Sequence, residues 1–511
     1  MKKGSITPFC ALCLMMIASV LFVLLESARV YGLDYYASLK AEALMDSLCA
    51  EYQPLLWEQY GVLALDGAYG TEYFSENYMT EKLLELDSMQ QAKADNILVH
   101  KGLALFRLSL IEAELKGYAL ATDEQGKLFL KYIAERMKEE LPVGIAANIY
   151  ERYQMKETVQ TNNSDYAVKE AVETLQRAEW EKWNEIEGKI ENAETEEEEE
   201  RARSERWVFS SSRVKNLKNM LENVSELKSR GVLTMILGEE AYISDKFSKP
   251  EIYMADREKK EGTIYYTGDS DWYQKILVLE YLDKYFSSYT EERDGHYLDY
   301  EMEYVLAGKD VEWRNLESVF QKLLLVREVA NITYLLKNPE RMQQAENLAR
   351  GIALLVGENP AVIKGIQIGV VAAWAYAESI LDVRALVSGE VIPILKTDEN
   401  WTLEILDVIG VFELNKKAKL CKEGMDYREY IKLLLVTENN ETIAYRMMEV
   451  MEMSLQKVPD YKNCKMNQMY LAVQYKFHFE SNSIFSSLIT IGTPMKKGVH
   501  FWKEEVRSYI P

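Results

Sequence analysis

The hydrophobic pattern changes period several times along the chain, and its opening stretch differs most from the rest. From Ser5 to Leu25 there is no charged side chain, and from Phe9 onward nearly every residue is apolar. As a helix this run rises roughly 31 Å at about 1.5 Å per residue, which matches the hydrocarbon thickness of a bilayer. A secretory signal has a shorter apolar core, of about 7–15 residues, closed by small residues at the cleavage site. Here the run closes with Leu24-Leu25-Glu26-Ser27-Ala28-Arg29, and a cut after Ala28 would put Glu26 where a small residue is wanted. Val30 and Gly32 offer a poorer cut. The pattern predicts a retained membrane helix.

Beyond the span, Leu33 to Met45 contains no proline and repeats its apolar residues at helical spacing, so the helix should continue outward. Pro54 marks a break or a new helix start, and Tyr60-Gly61 and Asp66-Gly67 read as turns. A helical pattern returns from about Glu76 to Leu120. Residues 165–206 are the most charged, with Glu196 to Glu200 running into Arg201, Arg203 and Arg206. Their i,i+4 spacing predicts a solvated helix or hairpin, the alternative being a charged arm for a partner. Val232 to Leu237 and Thr263 to Tyr266 look like short strands. Helices are expected from Trp272 to Tyr289, from Leu316 to Leu336, and around Gly357-Glu358-Asn359-Pro360 as Ile352–Val356 and Ile363–Ala377. The last of these is too short to span a bilayer and reads as a buried core helix. From Leu471 to Glu480 apolar and polar residues alternate, the clearest strand in the chain.

These elements predict a helix-rich α+β protein, whose N-terminal transmembrane helix continues into a helical stalk below a body with a small β-sheet. The expected divisions are a membrane anchor at 1–32, a helical stalk or subdomain at 33–164, a charged helical arm at 165–230 and the α+β body at 231–511.

Charge sets the expected orientation. Lys2 and Lys3 precede the span, and positive flanks stay in the cytoplasm, which places the body outside the cell. Glu26 and Arg29 share one helical face at the membrane edge. A net charge of −22 argues against nucleic acid and against docking on an anionic membrane surface. Cys10 and Cys13 form a CxxC inside the span, where no second ligand pair makes a zinc site. Cys49, Cys421 and Cys464 are too few for a disulfide framework, although Cys421 and Cys464 could form one bridge.

Candidate chemistry is sparse. The histidines are His100, His296, His478 and His500, far apart in sequence, and no zinc-protease or phosphate-loop motif occurs. Gly268-Asp269-Ser270-Asp271-Trp272 begins like a nucleophile elbow but lacks its second glycine. Ser225–Lys228 and Ser454–Lys457 match SxxK, a pattern that chance supplies freely. The most distinctive polar cluster is Glu378, Asp382 and Arg384 at the end of a buried helix. Its two acids lie one turn apart and could hold a cation, or pair internally with Arg327 or Arg384. Nothing here predicts a catalytic residue, a metal site or a cofactor.

Lys3-Gly4 directly before the apolar run resembles a prepilin, in which a peptidase cuts between glycine and the next residue, here Gly4 and Ser5. Phe9 stands where a prepilin usually carries glutamate. More widely, the chain resembles an uncharacterised family of single-pass membrane proteins from Clostridia-type Gram-positive bacteria, associated with Tad (Flp-type) pilus assembly and its TadE/TadG-like pseudopilins. The likeness is carried by Lys3–Thr7, Leu25–Arg29, Leu56–Gly61, Tyr300–Lys309, Trp374–Arg384, Asp426–Tyr430 and Tyr445–Met448. It implies a non-enzymatic structural or accessory component of a pilus or secretion apparatus, with other membrane proteins of that apparatus as partners. The alternative is a membrane-tethered ligand-binding or sensory module. A tethered hydrolase would need a convergent nucleophile or acid cluster.

Overall fold

The computed structural model describes residues 6–98, 104–140, 164–209, 231–266, 272–356, 359–407, 416–485 and 498–510. In chain order the main elements are α1 (Ile6–Cys49), α2 (Pro54–Tyr60), β1 (Leu65–Asp66), α3 (Glu76–Leu98), β2 (Ser109–Leu120) and α4 (Lys127–Glu140). Next come α5 (Ser164–Glu191), α6 (Glu196–Phe209), α7 (Val232–Leu237), α8 (Trp272–Tyr285), α9 (Glu301–Ala307) and α10 (Glu312–Lys337). The chain ends with α11 (Pro339–Val356), α12 (Pro360–Val387), α13 (Tyr427–Leu435), α14 (Asn440–Gln456), β3 (Met469–Asn482) and β4 (Gly498–Ser508). The protein is helix-rich α+β, with a long apolar N-terminal helix and a small antiparallel sheet. Two compact units divide it. One gathers residues 1–140, 250–278 and 440–511, and the other 141–249 and 279–439.

The first unit is built on α1, 44 residues without a break. From Phe9 to Leu25 no residue is buried, although Phe22 stacks on Phe485 at 6.2 Å, and burial begins at Glu26 and Arg29. From there Leu33, Ala37, Ala41, Leu44, Met45 and Leu48 form one buried stripe at helical spacing. Alanines at two of these positions let the helix lie close against a sheet. Central β3 pairs antiparallel with β2 on one side and with β4 on the other, and β1 pairs with its first residues. Its alternation turns Tyr475, Phe477 and Phe479 inward, against α1's stripe, in the same core cluster. Each such fully buried apolar side chain contributes about 1.5–3 kcal/mol. Charge contacts fasten the same helix along its length. Asp34 meets Lys503 at 2.9 Å, Lys40 meets Asp87 at 2.5 Å and Asp46 meets Arg507 at 2.7 Å.

The second unit is helical. Its centre is α12, where every residue from Gly369 to Val383 is buried, whichever way it points. Such an all-round apolar helix needs neighbours on every side. Around it pack α5, α10 and α11. Asn359 caps its start by accepting from Ala361 N, and Pro360 occupies the first turn.

Three segments differ from the pattern-based expectation. Ser109–Leu120 is a strand, although Ala, Glu, Leu and Lys favour helix; pairing along β3 overrides that weak preference. Val232–Leu237 is a short helix, because a six-residue apolar run fits either element until its neighbours decide. Thr263–Tyr266 is irregular, yet Thr263 N and Ile264 N both donate to Tyr118 O, so it covers part of β2's edge.

Before α4 the chain makes a left-handed turn, with φ of 52° at Glu124, 60° at Gln125 and 80° at Gly126. Asp123 ties it down by accepting from Leu120 N at 2.7 Å and Gly262 N at 2.9 Å. A Cβ on Gly126 would lie 2.7 Å from the Ala444 Cβ, whereas one on Gly70, also at positive φ, would meet nothing within 4 Å. Gly70→Ala should therefore cost about 1 kcal/mol from backbone strain alone, and Gly126→Ala about 2–4 kcal/mol, compared by chemical denaturation. Equal losses would show that the contact with Ala444 yields freely.

Candidate functional site

Two polar constellations stand out, one in each unit. In the first, Arg29 and Glu26 pair at 2.8 Å, one helical turn apart at the foot of the bare apolar stretch. Arg29 also donates to Ser481 Oγ at 2.7 Å, to Asn482 O at 2.9 Å and to Leu105 O. The free Glu26 oxygen accepts from Phe485 N at 2.7 Å and Ile484 N at 3.3 Å. The pair is thus a buried clamp on the end of β3, and its lone pairs and N–H groups are used on backbone as well as on each other. Phe9 is exposed on α1, whereas Gly4 and Ser5 lie outside the described residues. Among the described residues α1 is the one helix long and apolar enough to cross a membrane, with a mean hydropathy of 2.6 over its best window.

In the second unit, Glu378 and Asp382 on α12 face Arg327 and Asn331 on α10. Lys396 enters from the loop after α12. All four charged side chains are fully buried. Lys396 Nζ bonds to Glu378 Oε1 and lies 2.5 Å from Asp382 Oδ1. Arg327 Nε and Asn331 Nδ2 each donate to Asp382 Oδ2 at 3.0 Å. Arg327 spends its remaining N–H groups on Pro393 O, Ile394 O, the Tyr430 hydroxyl and Asn331 Oδ1. Glu378 also accepts from Thr402 N and Leu403 N, both at 2.9 Å. Two acids meet two bases, so the cluster is electrically neutral. Burial alone would raise the Asp382 carboxyl, but Arg327 and Lys396 beside it hold it below the usual carboxylate range. The place a cation would take between these acids is filled by the protein's own guanidinium and ammonium.

Arg384, two residues beyond Asp382 and so on the opposite side of α12, turns elsewhere. Its guanidinium donates to Met235 O at 2.8 Å and 3.1 Å, satisfying a carbonyl in α7. Sequence reading found Glu378, Asp382 and Arg327. It missed Lys396, because no periodicity links a loop lysine to a helix eighteen residues earlier.

It also missed a set of buried glutamates. Glu301, Glu303 and Glu312 are each fully buried, and each accepts from a backbone N–H: Ser287, Tyr289 and Tyr300 respectively. Glu301 additionally contacts His296 Nδ1 at 2.8 Å. Burial pushes the Glu303 carboxyl up to about 7, against hydrogen bonds from Tyr289 N and the Tyr427 hydroxyl. Tyr427 and Tyr430 share one short helix, α13, opened by the reciprocal bonds of Asp426 and Glu429. Three segments distant in sequence, Tyr300–Lys309, Trp374–Arg384 and Asp426–Tyr430, thereby converge in this unit's polar core.

Other candidates resolve into structure. Ser454 is buried and hydrogen-bonded to the Tyr60 hydroxyl at 2.8 Å. Cys421 and Cys464 are free thiols, so the bridge considered for them is not formed; Cys464 is buried, with Sγ against Asp66 and Gln53, and burial pushes it up to about 12. Ser225–Lys228, Gly268–Asp271 and His100 lie outside the described residues. Among the described residues no three His, Cys, Asp or Glu side chains converge as a metal site. An open groove of about 510 Å³ lies between α5 and α6; Lys189 pairs with Glu185 on its own helix at 2.7 Å and crosses to Glu205 on α6 at 3.3 Å.

Lys396→Met should destabilise the protein by about 3–5 kcal/mol in denaturant titrations, since it leaves buried carboxylates uncompensated. Adding Glu378→Gln should recover at least about 1 kcal/mol, and strict additivity would contradict the coupling. Glu303 makes a separate pH prediction. Its proton leaves the unfolded chain near the ordinary carboxyl value and the folded chain near 7, so its contribution to stability falls as pH rises through that window. Glu303→Gln should therefore melt above the parent protein at about pH 8, with the difference vanishing by about pH 5.

No curated protein and no solved structure matches this chain. The family DUF5702, described as a family of unknown function, matches residues 210–481, more than half of the chain and including the whole Glu378–Lys396 network. The protein belongs to that family.

Proposed function

We propose that the protein is a non-enzymatic, membrane-anchored structural or accessory component of a Tad (Flp-type) pilus or secretion apparatus. The observation that carries this reading is the continuity of α1. Its first half offers a bare apolar cylinder, and its second half is the helix against which the sheet packs. Such a stem can be satisfied by lipid or by the apolar stems of neighbouring apparatus proteins, as a pilin-like subunit requires. Lys2 and Lys3 favour a cytoplasmic N-terminus and an extracellular body. The Glu26–Arg29 clamp supports retention of the span. A cut at Val30 or Gly32 would remove both residues from the end of β3, where they hold five backbone and side-chain groups.

The alternative, a tethered ligand-binding or sensory module, draws less support, because the acids that might bind a ligand are already paired with Lys396 and Arg327.

The test is the N-terminus of the protein isolated from its native membrane, read by mass spectrometry. The expected product keeps Ile6–Leu25 and starts at Met1 or Ser5. A start at Ser5 would mean that prepilin processing accepts Phe9. A start near Val30 or Leu33 would overturn the anchored reading. Protease added to intact cells should digest the body; full protection would overturn the orientation.

A further inference from the structure

The outer face of the sheet, opposite α1, brings together two of the chain's four histidines. His478 on β3 stands beside Trp502 on β4, and His500 lies two residues before Trp502 on the same face. Antiparallel pairing therefore makes the two imidazoles diagonal neighbours. His478 Nε2 and His500 Nδ1 are 3.0 Å apart. Trp502, 57 % exposed, stacks on the His478 ring at 4.8 Å with an interplanar angle of 9°, which orients the ring's plane. Nothing in the anchor or in the buried network uses this pair.

Without a metal the contact is a hydrogen bond in which one neutral ring donates its N–H to the bare nitrogen of the other. Two ring nitrogens at this separation also suit chelation. An ion ~2.0–2.1 Å from both would subtend about 95° between them, near the cis angle of a square-planar centre and well below the ~109° of tetrahedral zinc. Imidazole pairs in tetragonal geometry are the chemistry of Cu(II). No carboxylate or thiol among the described residues completes a three-ligand group, so the remaining positions fall to water or an exogenous ligand.

We propose that His478 and His500 form a bidentate surface site for a tetragonal divalent transition-metal ion of the Cu(II) class. The strands supply the spacing and Trp502 holds one ligand in place. Only side-chain rotation separates the hydrogen-bonded and chelating arrangements, because both rings project from the solvent face of a sheet whose inner face is packed.

The test uses the full chain in detergent and a non-chelating buffer, titrated with CuCl2 by calorimetry and read by electron paramagnetic resonance at one equivalent. One saturable site with two equatorial nitrogens is expected. His478→Ala and His500→Ala should each weaken it at least about tenfold, since the second ligand acts at high effective concentration. Trp502→Phe should keep the site. Thermal melting of the metal-free variants should match the parent, which separates lost ligation from lost folding. If the double variant His478→Ala/His500→Ala binds copper as the parent does, or if the parent shows no saturable site, the proposal is overturned. A two-nitrogen signature that persists in either single variant overturns it equally.

Discussion

Everything in the first unit depends on α1 remaining helical through the point where its surroundings change. A helix passing from an apolar medium into a protein core satisfies its own backbone throughout, so the boundary problem is confined to side chains. Glu26 and Arg29 are the side chains at that boundary. Each would be costly to bury alone, but together, and bonded to Ser481, Asn482 and the backbone at Ile484 and Phe485, they are satisfied. They also fix the register of the stem against β3. A one-residue slip would turn Leu33, Ala37 and Ala41 off the sheet and take Lys40 away from Asp87.

The second unit poses a related problem of register. An apolar helix such as α12 specifies burial but not orientation, because every face is equally greasy. Four fully buried charges supply the missing information: Asp382 accepts from Arg327, and Glu378 anchors both Lys396 and the backbone at Thr402 and Leu403. Hydrophobic replacements of similar volume could equal the net stability of such a cluster, but they would not dictate one rotation of α12 against α10. The same logic explains Glu301, Glu303 and Glu312, which bind the backbone of an irregular stretch that forms no ladder of its own.

Periodicity made much of this legible. The length of α1, the start of α2 at Pro54, the core character of α12 and the alternation of β3 all follow from apolar spacing, which is a local property. What stayed hidden depended on partners distant in sequence. Ser109–Leu120 carries Glu112, Glu114 and Lys116 at alternate positions, a strand signal that its helix-favouring composition outweighed until β3 was beside it. Val232–Leu237 was ambiguous for lack of length. Within the polar core, the one-turn spacing of Glu378 and Asp382 was visible, whereas Lys396 and the buried state of Glu303 arise only from tertiary packing.

The distribution of polar chemistry bears on where function can reside. The acids and bases that looked most like a site are paired with one another and with backbone groups. Such a cluster holds α10 and α12 in one arrangement. Among the described surfaces, the most unusual is the apolar half of α1. The exposed apolar side chains between Phe9 and Leu25 make a contiguous surface of the kind that lipid or other apolar helices cover. Glu26 and Arg29 tie this stem to the end of β3, so the apolar half of α1 is continuous with the core of the first unit.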